Sequence, residues 1–447
     1  MGSMHLEEKL QNVSVVGAVG KMGRGIALVL AQEMVMLKLK KNQHYQLRLI
    51  DSNANGFVEL RHYLKHHLKK FAESHIISLR DSYKDNTHLV SNHQIIDAFV
   101  DEALDLLSFE TEVNKVQGST LIFEAIFENE HAKIELLKRL KHKGEPETLF
   151  LTNTSSIPIS YLAEKSGLEG KLIGFHFYNP PAVQKLVEII IPYSVSAEDR
   201  TLAHTLIERL KKIGIPSHDV AGFIGNGHFI RELHFASQLI EEWSQEMPQV
   251  ESIYLLDTLT QAYLLRPMGI FQLVDYVGID ICHQIATIME KHLKESLHVP
   301  LLKQMIGLGL KGGQGPDGTQ KNGFFSYDGM QRKSIYAGKE KKYVNVQEIS
   351  AKCAAKMGGP FSEQLTWKSL QKDPKRHKKI VDYFYKLFLS ETWGAEQAKR
   401  FLKHSQKIAN GLVERGVANK IEDVTQVLEL GFFHLYGVSD ISITQKH

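Results

Sequence analysis

The amino-acid sequence predicts an α/β protein: an N-terminal Rossmann-type, doubly wound sheet with a helical excursion, followed by all-α C-terminal domains. Three observations support this fold class. In the first half, short β-rich runs alternate with stretches of helical period, as in a parallel sheet covered by helices on both faces. The first run leads into a glycine-rich turn that continues as a helix. After Phe223, strand patterns nearly vanish and amphipathic helical patterns dominate.

Six short runs predict the strands of the sheet. Each run is rich in β-branched or aromatic residues and is bounded by polar or glycine-containing turns. The predicted strands are Val13 to Val16, Gln46 to Ile50, Leu121 to Glu124, Leu149 to Leu151, Leu172 to Phe175 and Leu186 to Ile191.

The helical patterns predict the domain organisation. Residues 55–98, rich in His and Lys, predict a helical excursion from the sheet, and amphipathic helices are predicted beyond Pro216. These later helices are expected at residues 229–243, 250–265 and 279–298. We therefore expect a sheet domain over residues 1–215, a helical domain over 216–335 and a second, degenerate helical domain over 336–447.

Composition excludes several classes of protein. The chain has 447 residues, of which 43% are hydrophobic, so it can bury a large core in two or three domains. A net charge of +3 does not indicate binding to nucleic acid or to a membrane surface. The scarce cysteines, Cys282 and Cys353, lie too far apart for a metal knuckle and suit a reducing compartment, so we expect a cytoplasmic protein. No apolar run is long enough to predict a membrane span.

The turn after the first strand, Gly17-Ala-Val-Gly-Lys-Met-Gly, predicts a dinucleotide site. Glycines let the backbone approach a pyrophosphate, whose charge is stabilised by the N-terminus of the following helix. The second strand ends at Asp51, which can accept both ribose hydroxyls and would repel a 2′-phosphate, so NAD is favoured over NADP. The long separation between the turn and Asp51 predicts an exposed polar loop around residues 38–44. A glycine-rich turn also arises by chance, and Asp51 distinguishes the two cases.

A histidine and a glutamate, His176 and Glu188, lie on two apolar runs joined by a proline-containing link. Two such runs would bring the side chains close together. A histidine whose second nitrogen donates to a carboxylate is held in one tautomer and is a better base, as oxidation of an alcohol requires. Taken alone, a histidine beside phenylalanine is most often a hydrogen-bonded residue of the core, so other features have to support the catalytic interpretation of His176.

Several stretches together resemble the L-3-hydroxyacyl-CoA dehydrogenases of fatty-acid β-oxidation, across most of residues 12–330. Their order and separations fit the family without gaps between Glu124 and Asn226. The stretches are Phe123-Glu-Ala-Ile-Phe-Glu-Asn, Asn153-Thr-Ser-Ser, Gly174-Phe-His-Phe-Tyr-Asn-Pro, Gly222-Phe-Ile-Gly-Asn and Arg266-Pro-Met-Gly-Ile-Phe-Gln-Leu-Val-Asp-Tyr-Val-Gly.

The resemblance implies the catalytic residues. His176 would be the general base, Glu188 would orient its ring, and Ser155 and Asn226 would hydrogen-bond the substrate oxygens. Each residue also has a structural interpretation. Ser155 could cap a turn, Asn226 could cap a helix, and Glu188 could be a strand residue that faces solvent.

The resemblance also implies residues for the cofactor and for coenzyme A. It assigns Glu128 and Lys133 to the neighbourhood of the nicotinamide ribose, although both could be surface residues at a helix start. It assigns Lys69 to a phosphate of coenzyme A, although Lys69 could belong to a solvated helix face. The full set of predicted NAD contacts is Gly17, Gly20, Met22, Gly23, Asp51, Ala125, Glu128 and Lys133. No metal site is expected, since the pair His62 and His66 lacks a third ligand.

Two of the departures from the family pattern bear on the predicted site. The glycine motif is G-x-x-G-x-x-G instead of G-x-G-x-x-G, so Val19 or an extra residue lies in the turn. This difference could weaken the affinity for the cofactor. Asn226 is followed by Gly227 and His228, where the family usually has arginine, so we expect a looser helix start. A related oxidoreductase that does not use coenzyme A, and an inactive nucleotide-binding homologue, therefore stay open as alternatives.

The C-terminal part predicts an internal duplication. The sequence pattern of residues 410–432 resembles that of residues 242–271, since in both segments a helix ends at a glycine followed by an aromatic residue. Simple members of the resembled family dimerise through the helical domain. A second copy could cover the same surface within one chain, so we predict a monomer; an unrelated helical tail would leave a homodimer.

Overall fold

The computed structural model describes residues 5–315, 318–338, 340–359, 361–362 and 365–437. The chain divides between Asp219 and Val220 into two compact units. The first unit contains the sheet and the second is mainly helical, so the predicted fold class is confirmed. That residues 336–447 form a third domain stays a prediction. Among the described residues, no helix is both long enough and apolar enough to cross a membrane.

The first unit is built on one eight-stranded sheet. Its strands are β1 (Asn12–Val16), β2 (Gln46–Ile50), β3 (Leu107–Glu110), β4 (Leu121–Glu124), β5 (Leu149–Thr152), β6 (Leu172–Phe177), β7 (Leu186–Ile190) and β8 (Ile213–Pro216). Their order across the sheet is β3-β2-β1-β4-β5-β6-β7-β8. All neighbouring strands are parallel except β6 and β7. Strands β4 to β7 are buried along their whole length, as expected where helices cover both faces.

Eight α-helices accompany this sheet in the described part of the first unit. The predicted excursion from the sheet is formed by three of them, which lie between β2 and β3 in the chain. The helices are α1 (Leu6–Lys9), α2 (Lys21–Lys41), α3 (Phe57–Ser74), α4 (Ile76–Ser82), α5 (Asn92–Asp105), α6 (Glu130–Lys143), α7 (Ile159–Ser166) and α8 (Ala197–Arg209).

Three features of the first unit differ from the prediction. The polar loop expected at residues 38–44 is largely the last turn of α2, which continues to Lys41 before Asn42 ends it in a left-handed conformation. The long separation between the glycine turn and Asp51 is therefore spanned by a long helix. Strands β3 and β8 were not predicted, because both are short, only partly buried and located at the two edges of the sheet.

The second unit consists of helices and one small sheet. Its helices are α9 (Gly225–Trp243), α10 (Gln249–Thr258), α11 (Ile270–Val277), α12 (Ile279–Leu293), α13 (Pro300–Gly307), α14 (Val346–Met357), α15 (Trp367–Leu370), α16 (Arg376–Leu389), α17 (Trp393–Glu414) and α18 (Ile421–Gly431), with a π-helical turn at Leu259–Tyr263. Three antiparallel strands, β9 (Phe325–Asp328), β10 (Gln331–Ala337) and β11 (Lys342–Asn345), interrupt the helices that were expected to be the sole elements here.

A buried carboxylate anchors the small sheet. Asp275, at the end of α11, accepts hydrogen bonds from the backbone amides of Phe324 at 2.7 Å and Phe325 at 2.8 Å and from the hydroxyl of Tyr327 at 2.8 Å. Its side chain has no solvent exposure. This burial raises the pKa of Asp275 to about 8. The start of the sheet is thus tied to the helical core by one side chain.

Candidate active site

The structure brings His176 and Glu188 together in the first unit. The two residues lie directly opposite each other in the antiparallel pair β6–β7. His176 Nδ1 is 3.0 Å from Glu188 Oε1. His176 is 7% exposed and Glu188 is completely buried, so Glu188 does not face solvent. Residues at opposite positions of an antiparallel ladder have side chains on the same face of the sheet, which is why the twelve-residue separation produces this contact.

A third side chain, which sequence analysis did not assign to the site, completes the arrangement. The Tyr178 hydroxyl donates to Glu188 Oε1 at 2.7 Å, the same oxygen that His176 contacts. The rings of His176 and Tyr178 are 4.8 Å apart. Burial, and then the charge of Glu188, raise the pKa of Tyr178 well above its ordinary value, so the phenol stays protonated and acts as a donor. The signal in the sequence is the two-residue spacing, which places alternate strand residues on one face.

This geometry selects the tautomer of His176. An ionised carboxylate can only accept hydrogen bonds, so a neutral His176 ring that contacts Glu188 carries its proton on Nδ1. The lone pair of the ring is then on Nε2. The arrangement can therefore accept a proton at Nε2 and stabilise the resulting imidazolium through Glu188.

Ser155 lies in the loop between β5 and α7, and one carboxylate organises this loop. Glu128 Oε1 accepts from the backbone amide of Ser155 at 2.9 Å and from its hydroxyl at 3.2 Å. It also accepts from the Thr154 and Ser156 hydroxyls, each at 2.7 Å. Asn153 Oδ1 in turn accepts from the backbone amide of Phe177 at 2.9 Å, so the Ser155 loop is tied to the strand that carries His176.

A buried ion-pair network supports this loop. Lys133 Nζ is 2.7 Å from Glu124 Oε1 and 3.6 Å from Glu128 Oε2. The side chains of Lys133 and Glu124 are each only 1% exposed, so Lys133 is not a surface residue. Burial alone would raise the pKa of Glu128, but the Lys133 charge and the hydrogen bonds from the loop lower it. Burial likewise opposes the charge of Lys133, and the two carboxylates raise its pKa in spite of this. Glu128 and Lys133 are therefore both ionised near neutral pH.

Glu124 was not assigned to the site by sequence analysis. Besides Lys133, it accepts from the Thr152 hydroxyl at 2.6 Å and from the backbone amide of Ile126 at 2.8 Å. It thereby connects the ends of the adjacent strands β4 and β5. The assignment of Glu128 and Lys133 to the nicotinamide ribose stays a prediction.

The glycine turn has the geometry of a close backbone approach. Gly17 has a φ of +85°, and a Cβ at this position would lie 2.7 Å from the carbonyl oxygen of Ala125. A Cβ at Gly23 would lie 2.0 Å from the carbonyl oxygen of Gly17. Gly20 is the N-cap of α2, and Met22 packs at the edge of the core. The turn thus places backbone amides at a helix N-terminus with no side chain between them, which fits a dinucleotide pyrophosphate.

Asp51 follows the end of β2 and is hydrogen-bonded to this turn. One carboxylate oxygen accepts from the backbone amide of Val19 at 3.0 Å, and the other from the backbone amide of Asn53 at 2.9 Å. Each oxygen keeps acceptor capacity for a ribose hydroxyl. Val19, the residue that departs from the family motif, is therefore held by the carboxylate predicted to bind the ribose.

The remaining predicted residues lie on helices. Lys69 is an exposed residue of α3, and Asn226 lies in the first turn of α9 in the second unit. Gly227 and His228 lie within α9, and the backbone amide of Gly227 donates to the carbonyl oxygen of Gly222, five residues back. That this helix start is looser stays a prediction. A Cβ at Gly227 would lie 3.2 Å from Leu412 of α17, so this glycine permits close helix packing.

Two family models match this chain. Residues 12–220 match the family model described as "3-hydroxyacyl-CoA dehydrogenase, NAD binding domain", and residues 222–322 match "3-hydroxyacyl-CoA dehydrogenase, C-terminal domain". A "Probable 3-hydroxybutyryl-CoA dehydrogenase" of Deinococcus radiodurans is 33% identical over 49% of this chain and 77% of that protein. The mitochondrial "Hydroxyacyl-coenzyme A dehydrogenase" of Sus scrofa is 30% identical over 61% of this chain and 77% of that protein.

One solved structure is similar over nearly the whole chain. The crystal structure of 3-hydroxybutyryl-CoA dehydrogenase from Escherichia coli has a TM-score of 0.63 and 19% sequence identity, and the match covers 98% of this chain and 94% of that chain. At this identity the likeness shows the fold alone. It extends beyond residue 322, where the family models end.

Proposed function

This chain belongs to the 3-hydroxyacyl-CoA dehydrogenase family, and from that membership we propose how its own residues oxidise an L-3-hydroxyacyl-CoA to a 3-ketoacyl-CoA. The observation that carries the proposal is the buried contact of 3.0 Å between His176 and Glu188. The cofactor is NAD, in agreement with the NAD-binding domain of residues 12–220. When bound, NAD supplies the acceptor for the hydride.

In this mechanism His176 Nε2 accepts the proton of the substrate hydroxyl. Glu188 holds Nδ1–H and stabilises the imidazolium that results. The Ser155 hydroxyl turns from Glu128 to donate to the substrate oxygen and polarise it, while the backbone amide of Ser155 keeps its hydrogen bond to Glu128. Asn226 donates to the substrate from α9. In the reverse direction, the same imidazolium returns the proton to the oxygen of the 3-keto group.

The dinucleotide is assigned to the glycine turn and Asp51. Gly17, Gly20, Met22 and Gly23 surround the pyrophosphate, and the Asp51 carboxylate accepts the ribose hydroxyls. Ala125, Glu128 and Lys133 belong to the nicotinamide end, where Lys133 acts through the two carboxylates that it holds. Lys69, on the exposed side of α3, is assigned to a phosphate of coenzyme A.

The C-terminal helices support a monomer. Helix α17 packs along α9: the Phe235 and His404 rings stack at 3.7 Å, and Arg400 makes two hydrogen bonds of 2.7 Å to Glu242. His228 Nε2 is 3.3 Å from the carbonyl oxygen of Ser405. We propose that this segment is the degenerate second copy and covers the surface through which simple family members dimerise. A sedimentation-velocity experiment on the full chain should give one species of about 50.7 kDa; a tight dimer would contradict the proposal.

The cytoplasmic location is part of the same proposal. Cys282 and Cys353 are both buried free thiols, as is common in proteins of reducing compartments.

The proposed activity is tested by the NADH-dependent reduction of acetoacetyl-CoA, with free acetoacetate as the comparison substrate. We expect reduction of the CoA ester, and for His176→Ala a fall in kcat of about 100-fold or more with retained NADH binding. Equal activity on free acetoacetate would favour the oxidoreductase that does not use coenzyme A. NADH binding without any reduction would favour the inactive homologue. Either result would contradict the proposal.

A further inference from the structure

We propose that Tyr178 is a positioning residue of this active site, which fixes the Glu188 carboxylate in the orientation that holds His176 as the base. This inference rests on the proposed function, because it assumes that His176 accepts the proton of the substrate alcohol. It goes beyond that function by adding a third member to the His176–Glu188 pair.

The contact geometry supports a positioning role. Tyr178 Oη lies 2.7 Å and His176 Nδ1 lies 3.0 Å from the same oxygen, Glu188 Oε1. The terminal torsion of a glutamate is broad, so a carboxylate held by one donor can swing about that torsion. Two donors that converge on one oxygen from adjacent positions restrict this motion. Because Glu188 is completely buried, solvent does not supply a replacement donor.

Glu188 has neighbouring strands on both sides of β7. The titratable groups that contact Glu188 from β6 and the residue after it are His176 and Tyr178. On the other side of β7, strand β8 places the apolar Ile215 opposite Glu188. Strand β5, on the far side of β6, is followed by the uncharged Asn153, whose side chain accepts from the backbone of Phe177.

The hydroxyl of Tyr178 also affects the charge balance of the pair. By donating to Glu188, it disperses the negative charge of the carboxylate. Without the hydroxyl, the charge of the carboxylate is less dispersed and the carboxylate is less firmly oriented toward His176 Nδ1.

The test uses the full chain with Tyr178→Phe, which removes the hydroxyl and keeps the ring. Oxidation of L-3-hydroxybutyryl-CoA by NAD is measured between about pH 6 and pH 10. We expect kcat to fall about tenfold, the scale of a lost hydrogen bond to a charged group, with KM for both substrates unchanged. The control is Tyr193→Phe, at a tyrosine that is 92% exposed, and it should leave both quantities unchanged.

A double-mutant cycle with Glu188→Gln separates positioning from a general structural role. If Tyr178 acts through Glu188, Tyr178→Phe should lower kcat less than about twofold further in the Glu188→Gln background. An equal loss in both backgrounds, a change in KM alone, or a Tyr178→Phe enzyme with native kcat would each overturn the proposal. If His176→Ala keeps native turnover, the proposed function itself fails. If His176→Ala is inactive and Tyr178→Phe is native, this inference alone fails.

Discussion

Replacing Lys133 by methionine should destabilise the first unit more than any other single loss of a positive charge in α6. Lys133 Nζ lies 2.7 Å and 3.0 Å from the two oxygens of Glu124 and 3.6 Å from Glu128. The exposures of these side chains are 1% for Lys133 and Glu124 and 13% for Glu128. The substitution would therefore remove the counter-charge of Glu124 and Glu128, whose carboxylates are largely shielded from water. Breaking a buried ion pair in this way costs about 3–5 kcal/mol, or about 10 °C in Tm for a unit of this size.

The assay is urea unfolding of the full chain, followed by circular dichroism. The transition of the first unit is identified as the one that NADH moves to higher urea concentration. Lys138→Met is the matched control, since Lys138 lies on the same helix and pairs with Glu135 in an exposed position; it should cost less than about 0.5 kcal/mol. Adding Glu124→Gln to Lys133→Met should restore part of the stability, because it removes one of the uncompensated charges.

The effect of Lys133→Met should also depend on pH. The pKa of Glu128 is lowered in the folded protein. The stability that Glu128 contributes is therefore present above its pKa in the unfolded chain and is lost as the pH falls through its pKa in the folded protein. Without Lys133 this contribution disappears, and the stability difference between the native and variant proteins should shrink toward low pH. A loss below about 1 kcal/mol at neutral pH, or no rescue by Glu124→Gln, would refute the reasoning.

Three further predictions concern other parts of the chain. Burial raises the pKa of Asp275 to about 8 in the folded protein, so the stability that Asp275 contributes is complete below its pKa in the unfolded chain and is lost as the pH rises through 8. Asp275→Asn should therefore flatten the fall of Tm between about pH 5 and pH 9. An unchanged slope of Tm against pH would contradict this prediction. In Gly23→Ala the new Cβ would lie 2.0 Å from the Gly17 carbonyl oxygen; NADH affinity, measured by fluorescence titration, should fall at least about tenfold, and an unaltered Kd would show that the turn does not bind the dinucleotide. Lys69→Glu should raise KM for acetoacetyl-CoA several-fold with kcat unchanged, whereas Lys138→Glu should not; equal KM values for both would remove Lys69 from the substrate site.

The sequence was most informative where apolar pattern and chemistry coincide. His176 and Glu188 lie on runs that are buried throughout, so their positions in the ladder followed from the strands. Tyr178 could have been predicted by the same argument, since it lies two residues beyond His176. The role of Glu124 was harder to predict, because a glutamate at the end of an apolar strand does not show which lysine contacts it. Lys133 also has the sequence context of a residue at the exposed start of a helix.

The elements that were missed share a weak local signal. Strands β3 and β8 are edge strands with half-polar sequences, and β8 contains Gly214 and Pro216. The small sheet of β9 to β11 is held by contacts to the distant Asp275 and by its own pairing, neither of which leaves a periodic apolar pattern. The loop predicted over residues 38–44 is helical as far as Lys41, because lysines favour the C-terminus of a helix as well as a loop. Residues 40–44 are exposed, as predicted.

Single-turnover hydride transfer tests whether His176 takes the proton while Glu188 holds the ring. Stopped-flow absorbance of NADH follows oxidation of L-3-hydroxybutyryl-CoA by enzyme in excess, for the native chain, His176→Ala and Glu188→Gln. We expect the rate of NADH formation to fall about 100-fold or more in His176→Ala and by a smaller factor in Glu188→Gln, with NAD binding retained in both. A native rate of hydride transfer in His176→Ala would contradict this expectation.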